Sequence, residues 1–215
     1  MKHRRYATEE EKEQDGSRRR FVQGAGIVIA AVASKGVSAG IEIPGKGAEE
    51  EQPEEVSFPP QVGDRLTPFA RSKRGKPIRV EDVPVASKQI LALPLDKKEG
   101  HTRHGRTYNQ LMIQRFEDLD NMDKSTAERA TAAEGIVVYS AVCTHYGCIV
   151  ISWDKQQQGY MCPCHQSVFN PRSSGDVVSG PAPRRLPSLP IVIESGEIVV
   201  AGDFDTPVGI GSHVR

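Results

Sequence analysis

Two short boxes in the second half of the chain concentrate the residue types that bind metals. All four cysteines of the 215-residue sequence fall between positions 143 and 164, with His145 among them and His165 directly after them. The boxes read CTHYGC at residues 143–148 and CPCHQS at residues 162–167. Each box offers one cysteine and one histidine at close spacing, and each contains a further cysteine. Such clustering predicts a metal site, a disulfide or both.

The residue types alone leave more than one metal open. Thiolates and imidazoles are good ligands for iron and for zinc. A tetrahedral structural zinc ion would be satisfied by two cysteines and two histidines. This alternative gives no role to Cys148 and Cys164. The four candidate ligands are Cys143, His145, Cys162 and His165.

The two boxes resemble the Rieske pattern, in which Cys-Thr-His-x-Gly-Cys is followed by Cys-Pro-Cys-His-x-Ser. Residues 180–187, GPAPRRLP, are similar to the proline loop that covers the cluster in that family. The resemblance implies a [2Fe–2S] cluster in which two cysteines hold one iron and two histidines hold the other. The resemblance implies that Cys143 and Cys162 hold the inner iron and that His145 and His165 hold the outer iron. It also implies a disulfide between Cys148 and Cys164. Ser167 would donate a hydrogen bond to a sulfur of the cluster.

A cluster of this kind carries single electrons. Imidazole ligands remove negative charge from it, which raises its reduction potential to about −150 to +300 mV. The resemblance implies the iron–sulfur subunit of a cytochrome bc-type quinol–cytochrome c oxidoreductase, with quinol, cytochrome b and a c-type cytochrome as partners. His145 and His165 are then the catalytic residues that meet quinol. The alternative is an electron-relay subunit of a periplasmic oxidoreductase, such as one resembling arsenite oxidase.

The net charge of zero gives no general attraction to nucleic acid.

Three residues depart from the family pattern. High-potential members have a tyrosine four residues after the second histidine, whereas this chain has Phe169. Phenylalanine has no hydroxyl to donate toward the cluster, so we predict a midpoint potential below that of relatives with tyrosine. Gln166 stands in place of the usual glycine, and Tyr146 in place of the usual leucine. Neither change removes a ligand.

The elements that must position the boxes are predicted to be short strands. Gly and Pro together number 35, from 20 Gly and 15 Pro, which favours a loop-rich β domain. Apolar segments at 88–95, 108–116 and 135–142 are typical of strands, and the last runs directly into the first box. Ser195-Gly196 predicts a closing hairpin between 189–193 and 197–201. Ser125 is a candidate cap for a helix over 125–133. The fold class we predict is all-β, an antiparallel β-sandwich with an inserted cluster-binding subdomain over 141–187.

The N-terminal segment has the features of an export signal. Arg18, Arg19 and Phe21 resemble the twin-arginine motif, a weakly apolar stretch follows, and small residues precede a candidate cleavage point after Ala39. Retention as a membrane anchor is the alternative to cleavage. We predict a signal or anchor at 1–39, a flexible acidic linker at 40–62, the Rieske-like domain at 63–207 and a tail at 208–215. The domain is then expected on the periplasmic side of the cytoplasmic membrane, exported by the twin-arginine route.

Overall fold

The computed structural model describes residues 59–85, 88–104 and 107–211. The predicted signal or anchor and all but the last four residues of the predicted linker lie outside this part of the chain. Within these ranges, none of the helices combines the length and the apolar character that crossing a membrane requires.

Strands dominate the described residues, which form ten strands and one α-helix. The strands are β1 (Arg65–Pro68), β2 (Ile90–Leu95), β3 (Leu111–Arg115), β4 (Ile136–Ser140), β5 (Ser152–Asp154), β6 (Gly159–Met161), β7 (Val168–Asn170), β8 (Asp176–Ser179), β9 (Ile191–Glu194) and β10 (Glu197–Val200). The helix α1 spans Lys124–Ala132, and short 3-10 turns occur at Arg71–Lys73, Val80–Asp82 and Thr107–Asn109. The strands predicted around 88–95, 108–116 and 135–142 and the closing hairpin are therefore confirmed.

The strands form two antiparallel sheets. A six-stranded base sheet has the order β4-β3-β2-β1-β10-β9, and a four-stranded sheet has the order β5-β6-β7-β8. The second sheet consists entirely of chain between β4 and β9, so the prediction of an all-β fold with an inserted subdomain is confirmed. The chain leaves β4 and returns beside it, because the N–H of Ser140 donates to the carbonyl of Pro187 over 2.8 Å.

Strand β4 connects the two hydrophobic cores of the protein. Successive side chains of a strand point to opposite faces. Ile136 and Val138 accordingly pack into the core of the base, whereas Val137 and Tyr139 pack into a second core. That second core also contains buried residues from the inserted sheet, the proline loop and both boxes: Cys143, Tyr160, Cys162, Phe169 and Leu186. The strand that enters the first box is thus fixed from both sides.

Helix α1 begins one residue earlier than the sequence predicts, and its cap lies two residues earlier than the predicted one. The cap is Asp123, whose carboxylate accepts the backbone N–H of Thr126 over 2.9 Å. Ser125, our predicted cap, lies in the first turn and donates its hydroxyl to Asp123 over 2.9 Å. Burial alone would raise the pKa of Asp123, but hydrogen bonds from Thr126, Ser125 and Ser174 outweigh it and lower the pKa to about 2. The prediction for Ser125 was wrong because aspartate is an equally good cap and starts the helix earlier.

Candidate metal centre

The first box forms a tight six-residue turn directly after β4. The N–H of Cys143 donates to the carbonyl of Cys148 over 2.8 Å, and the N–H of Gly147 donates to the carbonyl of Cys143 over 2.9 Å. Gly147 has a φ of +72°, a conformation that glycine adopts without steric cost. The turn therefore presents the side chains of residues 144–146 at its end.

The second box repeats this geometry between β6 and β7. The N–H of Cys162 donates to the carbonyl of Ser167, and the N–H of Gln166 donates to the carbonyl of Cys162, each over 2.9 Å. The fifth residue of the turn again has a positive φ, here +59° at Gln166. This explains why glycine suits that position. The two boxes are equivalent turns facing one another.

A disulfide ties the two turns together. Cys148 and Cys164 are bonded with a Cα–Cα distance of 6.5 Å, which is the pairing that the resemblance implies. The sulfur of Cys162 lies close to this bridge, since the three sulfurs are all within 4.8 Å of one another. These three cysteines do not form a thiolate metal site of their own, because the sulfurs of two of them are bonded to each other in the disulfide.

The two remaining cysteines are buried side by side. Cys143 and Cys162 are free thiols, each only 1% exposed. Burial raises the pKa of the Cys143 thiol to about 11. The backbone N–H groups of His145 and Tyr146, which are directed at its sulfur, act in the opposite direction, and the neighbouring thiol of Cys162 adds to the rise. A metal would favour the deprotonated form of both sulfurs.

The two histidines lie together at the surface end of the site. The ring centroids of His145 and His165 are 4.7 Å apart, with the planes nearly perpendicular at 86°. Nδ1 of His145 is buried and has no hydrogen-bond partner among the described residues. The ring of Tyr146 lies 4.3 Å from His145 and 5.7 Å from His165, and this side chain is 65% exposed. Two buried thiols beside two imidazoles fit the mixed ligand set of a Rieske-type diiron cluster, and the orphaned Nδ1 is available to bind iron.

The proline loop contacts both turns. The N–H of Ala182 donates to Oγ of Ser167 over 3.1 Å, and Oγ1 of Thr144 donates to the carbonyl of Arg184 over 2.6 Å. At Gly180, where φ is +90°, a Cβ atom would lie 2.4 Å from Cα of Ser167, so only glycine permits this close approach. The loop therefore encloses the site from a third side, as the resemblance predicts.

Comparison with known proteins agrees with this geometry. A family model described as the Rieske [2Fe-2S] domain matches residues 104–190. The cytochrome bc1 complex Rieske iron-sulfur subunit of Streptomyces lividans is 38% identical over 141 residues, which covers 62% of this chain and 79% of the relative. The chain belongs to the Rieske [2Fe–2S] family. The cofactor of the site is accordingly a Rieske-type [2Fe–2S] cluster.

Other Rieske relatives are longer than the matching region. The subunit of the same description from Corynebacterium diphtheriae is 33% identical over 135 residues, and the match covers only 33% of its length. A putative respiratory nitrate reductase subunit Rieske of Haloferax mediterranei is 45% identical over 78 residues, covering 36% of this chain and 34% of the relative. Among solved structures, the soluble domain of the Rieske protein II of Sulfolobus acidocaldarius is similar over 72% of this chain and 73% of its own, with 18% identity and a TM-score of 0.36.

The structure brings together every site residue predicted from the sequence. The list comprises Cys143, His145, Cys148, Cys162, Cys164, His165 and Ser167, all within the two facing turns. Phe169 lies fully buried on β7, paired with Tyr160 of β6. The hydroxyl of Tyr160 has no hydrogen-bond partner among the described residues.

Two residues that hold the turns were missed. Thr144 and Arg184 are joined by a hydrogen bond that spans 40 residues of sequence. Their types carry no signal of this contact, although both lie inside segments that resemble the family.

Proposed function

We propose that this chain is the iron–sulfur subunit of a cytochrome bc-type quinol–cytochrome c oxidoreductase. The observation that carries the proposal is the pair of adjacent imidazoles at the exposed end of two turns that a disulfide holds together. The relatives from Streptomyces and Corynebacterium described as cytochrome bc1 complex subunits support the same assignment. Quinol, cytochrome b and a c-type cytochrome are the proposed partners.

The proposed ligand roles follow the burial of the four side chains. Cys143 and Cys162, both buried, hold the inner iron, and His145 and His165 hold the outer iron nearer to solvent. When bound, the cluster supplies one-electron chemistry at the raised potential of a histidine-ligated centre.

The imidazoles provide the contact with quinol. Because Nδ1 of His145 is buried, Nε2 is the atom left to hydrogen-bond a substrate at the surface. His165 is itself exposed beside it. A histidine that faces quinol at Nε2 both orients the substrate and takes a proton there. Tyr146 covers one side of both rings and limits how a quinol approaches them.

Purification of the tagged full-length chain from its own membranes tests the proposal. We expect b-type and c-type haem to co-purify, and addition of quinol to give the electron paramagnetic resonance signal of a reduced Rieske cluster. A His165→Ala variant should lose this signal. A preparation with an intact, quinol-inert cluster and no haem would refute the bc-type assignment.

A second candidate is an electron-relay subunit of a periplasmic oxidoreductase. The observation in its favour is the 45% identity to the Haloferax relative described as a putative respiratory nitrate reductase subunit. The same purification distinguishes the two, because a relay subunit would co-purify with a dehydrogenase or reductase and its cluster would respond to that enzyme's substrate instead of quinol.

We further propose export by the twin-arginine route and a periplasmic position at the membrane. The support is the Arg18-Arg19 motif and the disulfide, since such bridges persist outside reducing compartments. Replacing both arginines by lysine should leave the protein in the cytoplasm, as cell fractionation would show. Sequencing the mature N-terminus then decides between cleavage after Ala39 and retention as an anchor.

A further inference from the structure

The C-terminal residues 203–211, which we name the strap, lie along the proline loop. The carboxylate of Asp205 accepts the N–H of Ser188 over 2.8 Å and pairs with Arg185 over 3.3 Å. The N–H of Asp205 donates back to the carbonyl of Ser188 over 3.1 Å. Val208 is buried, although we predicted from the sequence that it lies in a tail. These contacts fix the beginning and the middle of the strap on the protein.

Arg184 connects the strap to the site. Its guanidinium donates to the carbonyl of Pro207 over 2.6 Å and also to the carbonyl of Gly209. The carbonyl of the same residue accepts the hydroxyl of Thr144 from the first turn. One residue therefore holds the strap with its side chain and the first turn with its main chain.

The end of the strap reaches the first turn directly. Gly209 packs so closely on the ring of Tyr108 that a Cβ atom would lie 2.4 Å from it. The next residue, Ile210, lies beside Gly147, where its Cδ1 would be 3.6 Å from a Cβ atom. The first turn is therefore supported by the strap at Thr144 through Arg184, and at Gly147 through Ile210.

Thr144 lies in the chain between the proposed ligand Cys143 and the two residues whose backbone N–H groups are directed at the Cys143 sulfur. It follows Cys143 and precedes His145 and Tyr146, whose backbone N–H groups are directed at the Cys143 sulfur. Hydrogen bonds to ligand sulfurs stabilise the reduced state and raise the potential of an iron–sulfur cluster. Freedom of movement at Thr144 would lengthen the hydrogen bonds to the Cys143 sulfur and would shift the position of the His145 imidazole.

We propose that Arg184 is a positioning residue that uses the C-terminal strap to hold the first ligand turn, and that the strap thereby raises the reduction potential of the cluster. The proposal rests on the ligand roles proposed above but not on the identity of the host complex. It assigns a role to a segment that contains no ligand.

The test measures the midpoint potential and the electron paramagnetic resonance g-values of the full-length holoprotein by voltammetry and spectroscopy. Arg184→Ala and a stop after Thr206 should each make reduction about tenfold less favourable, which is about 59 mV for one electron. Arg184→Lys should restore only part of this, because an ammonium group lacks the planar fork that reaches two carbonyls. A variant that combines Arg184→Ala with the stop after Thr206 should have the same midpoint potential as a variant with either change alone.

Thr144→Val keeps the shape of the side chain and replaces its hydroxyl by a methyl group, so it removes the hydrogen bond to the carbonyl of Arg184 in a chain of full length. We expect a downward shift like that of Arg184→Ala. Two controls should leave the potential unchanged: a stop after Gly211, and Arg79→Ala, which removes a guanidinium that donates to the carbonyl of Ser195 in the β9–β10 hairpin.

An assembled cluster with unchanged potential and g-values in Arg184→Ala and Thr144→Val would overturn the proposal. If the stop after Thr206 prevents folding, Arg184→Ala still tests the strap, because it breaks the contacts with Pro207 and Gly209 in a chain of full length. A wild-type chain that binds no iron would instead overturn the proposed ligand roles, and a cluster that binds normally outside any bc-type complex would overturn only the proposed host.

Discussion

Removing the hydroxyl of Ser167 should lower the reduction potential of the cluster. This side chain is fully buried in the second turn, and its oxygen accepts the N–H of Ala182 over 3.1 Å. The hydroxyl hydrogen is therefore left to donate to another acceptor. We propose that in a site with this ligand set the acceptor would be a sulfur of the cluster, as the resemblance implies.

The size of the effect follows from the charge of the acceptor. A reduced cluster carries one more negative charge than an oxidised one, so the hydrogen bond is stronger in the reduced state. Hydrogen bonds to charged groups contribute about 1.5–3 kcal/mol. If about 1–2 kcal/mol of this distinguishes the two states, Ser167→Ala lowers the potential by about 45–90 mV, since a tenfold change in a one-electron equilibrium is 59 mV.

Voltammetry of the purified wild type and variant at one pH measures this shift. Ser173→Ala is the matched control, because it removes an exposed hydroxyl that donates to Asp176 instead of facing the site. Ser167→Ala should also destabilise the protein by about 1–3 kcal/mol, since the N–H of Ala182 loses its partner. A variant that keeps its cluster and shows the wild-type potential would refute the assigned donor.

Four further substitutions, and a control for one of them, test other parts of the structure. Phe169→Tyr should raise the potential, and the absence of any rise in voltammetry would contradict the role given to the missing hydroxyl. Tyr160→Phe should leave the free energy of unfolding unchanged or raise it by about 1 kcal/mol, because it removes a buried hydroxyl without a partner among the described residues. Its matched control, Tyr139→Phe, should lower stability by about 1 kcal/mol, since that hydroxyl donates to Pro171 over 2.9 Å. Asp123→Ala should cost about 1 kcal/mol at neutral pH. This cost should vanish as the pH falls from 3.8 to about 2, where the carboxylate with its lowered pKa is protonated. Gln166→Gly should stabilise the fold by about 1 kcal/mol by relieving the positive φ, and equal or lower stability in chemical denaturation would argue against strain there.

The sequence predicted the site much better than the contacts that support it. Strand β4 and the two boxes carry strong local signals, and the resemblance supplied the pairing of Cys148 with Cys164. The contact between Thr144 and Arg184 could not be predicted, because it joins residues distant in sequence whose types have many other uses. Asp123 was missed for a different reason, since two good capping residues lie two positions apart and local propensity does not choose between them.

The contacts of the strap could not be predicted from the sequence either. We predicted that residues 203–207 belong to the domain but that residues 208–215 form a tail, because no periodic pattern marks this part of the sequence. Only the fold brings its carbonyls within reach of Arg184. Backbone acceptors of this kind exist at every residue, so nothing in the sequence marks the ones that a distant side chain will use.

The closeness of the Cys162 sulfur to the Cys148–Cys164 bridge has a consequence for maturation. A thiolate beside a disulfide can exchange with it, and the product here would enlist an iron ligand as a bridging cysteine and release another thiol. Iron bound to Cys162, as we propose, would remove that nucleophile. The order of events during biogenesis therefore matters. A chain that receives its iron before the bridge forms would keep its proposed ligands out of the exchange, whereas a chain whose bridge forms first leaves the Cys162 thiol free to exchange with it until iron is bound.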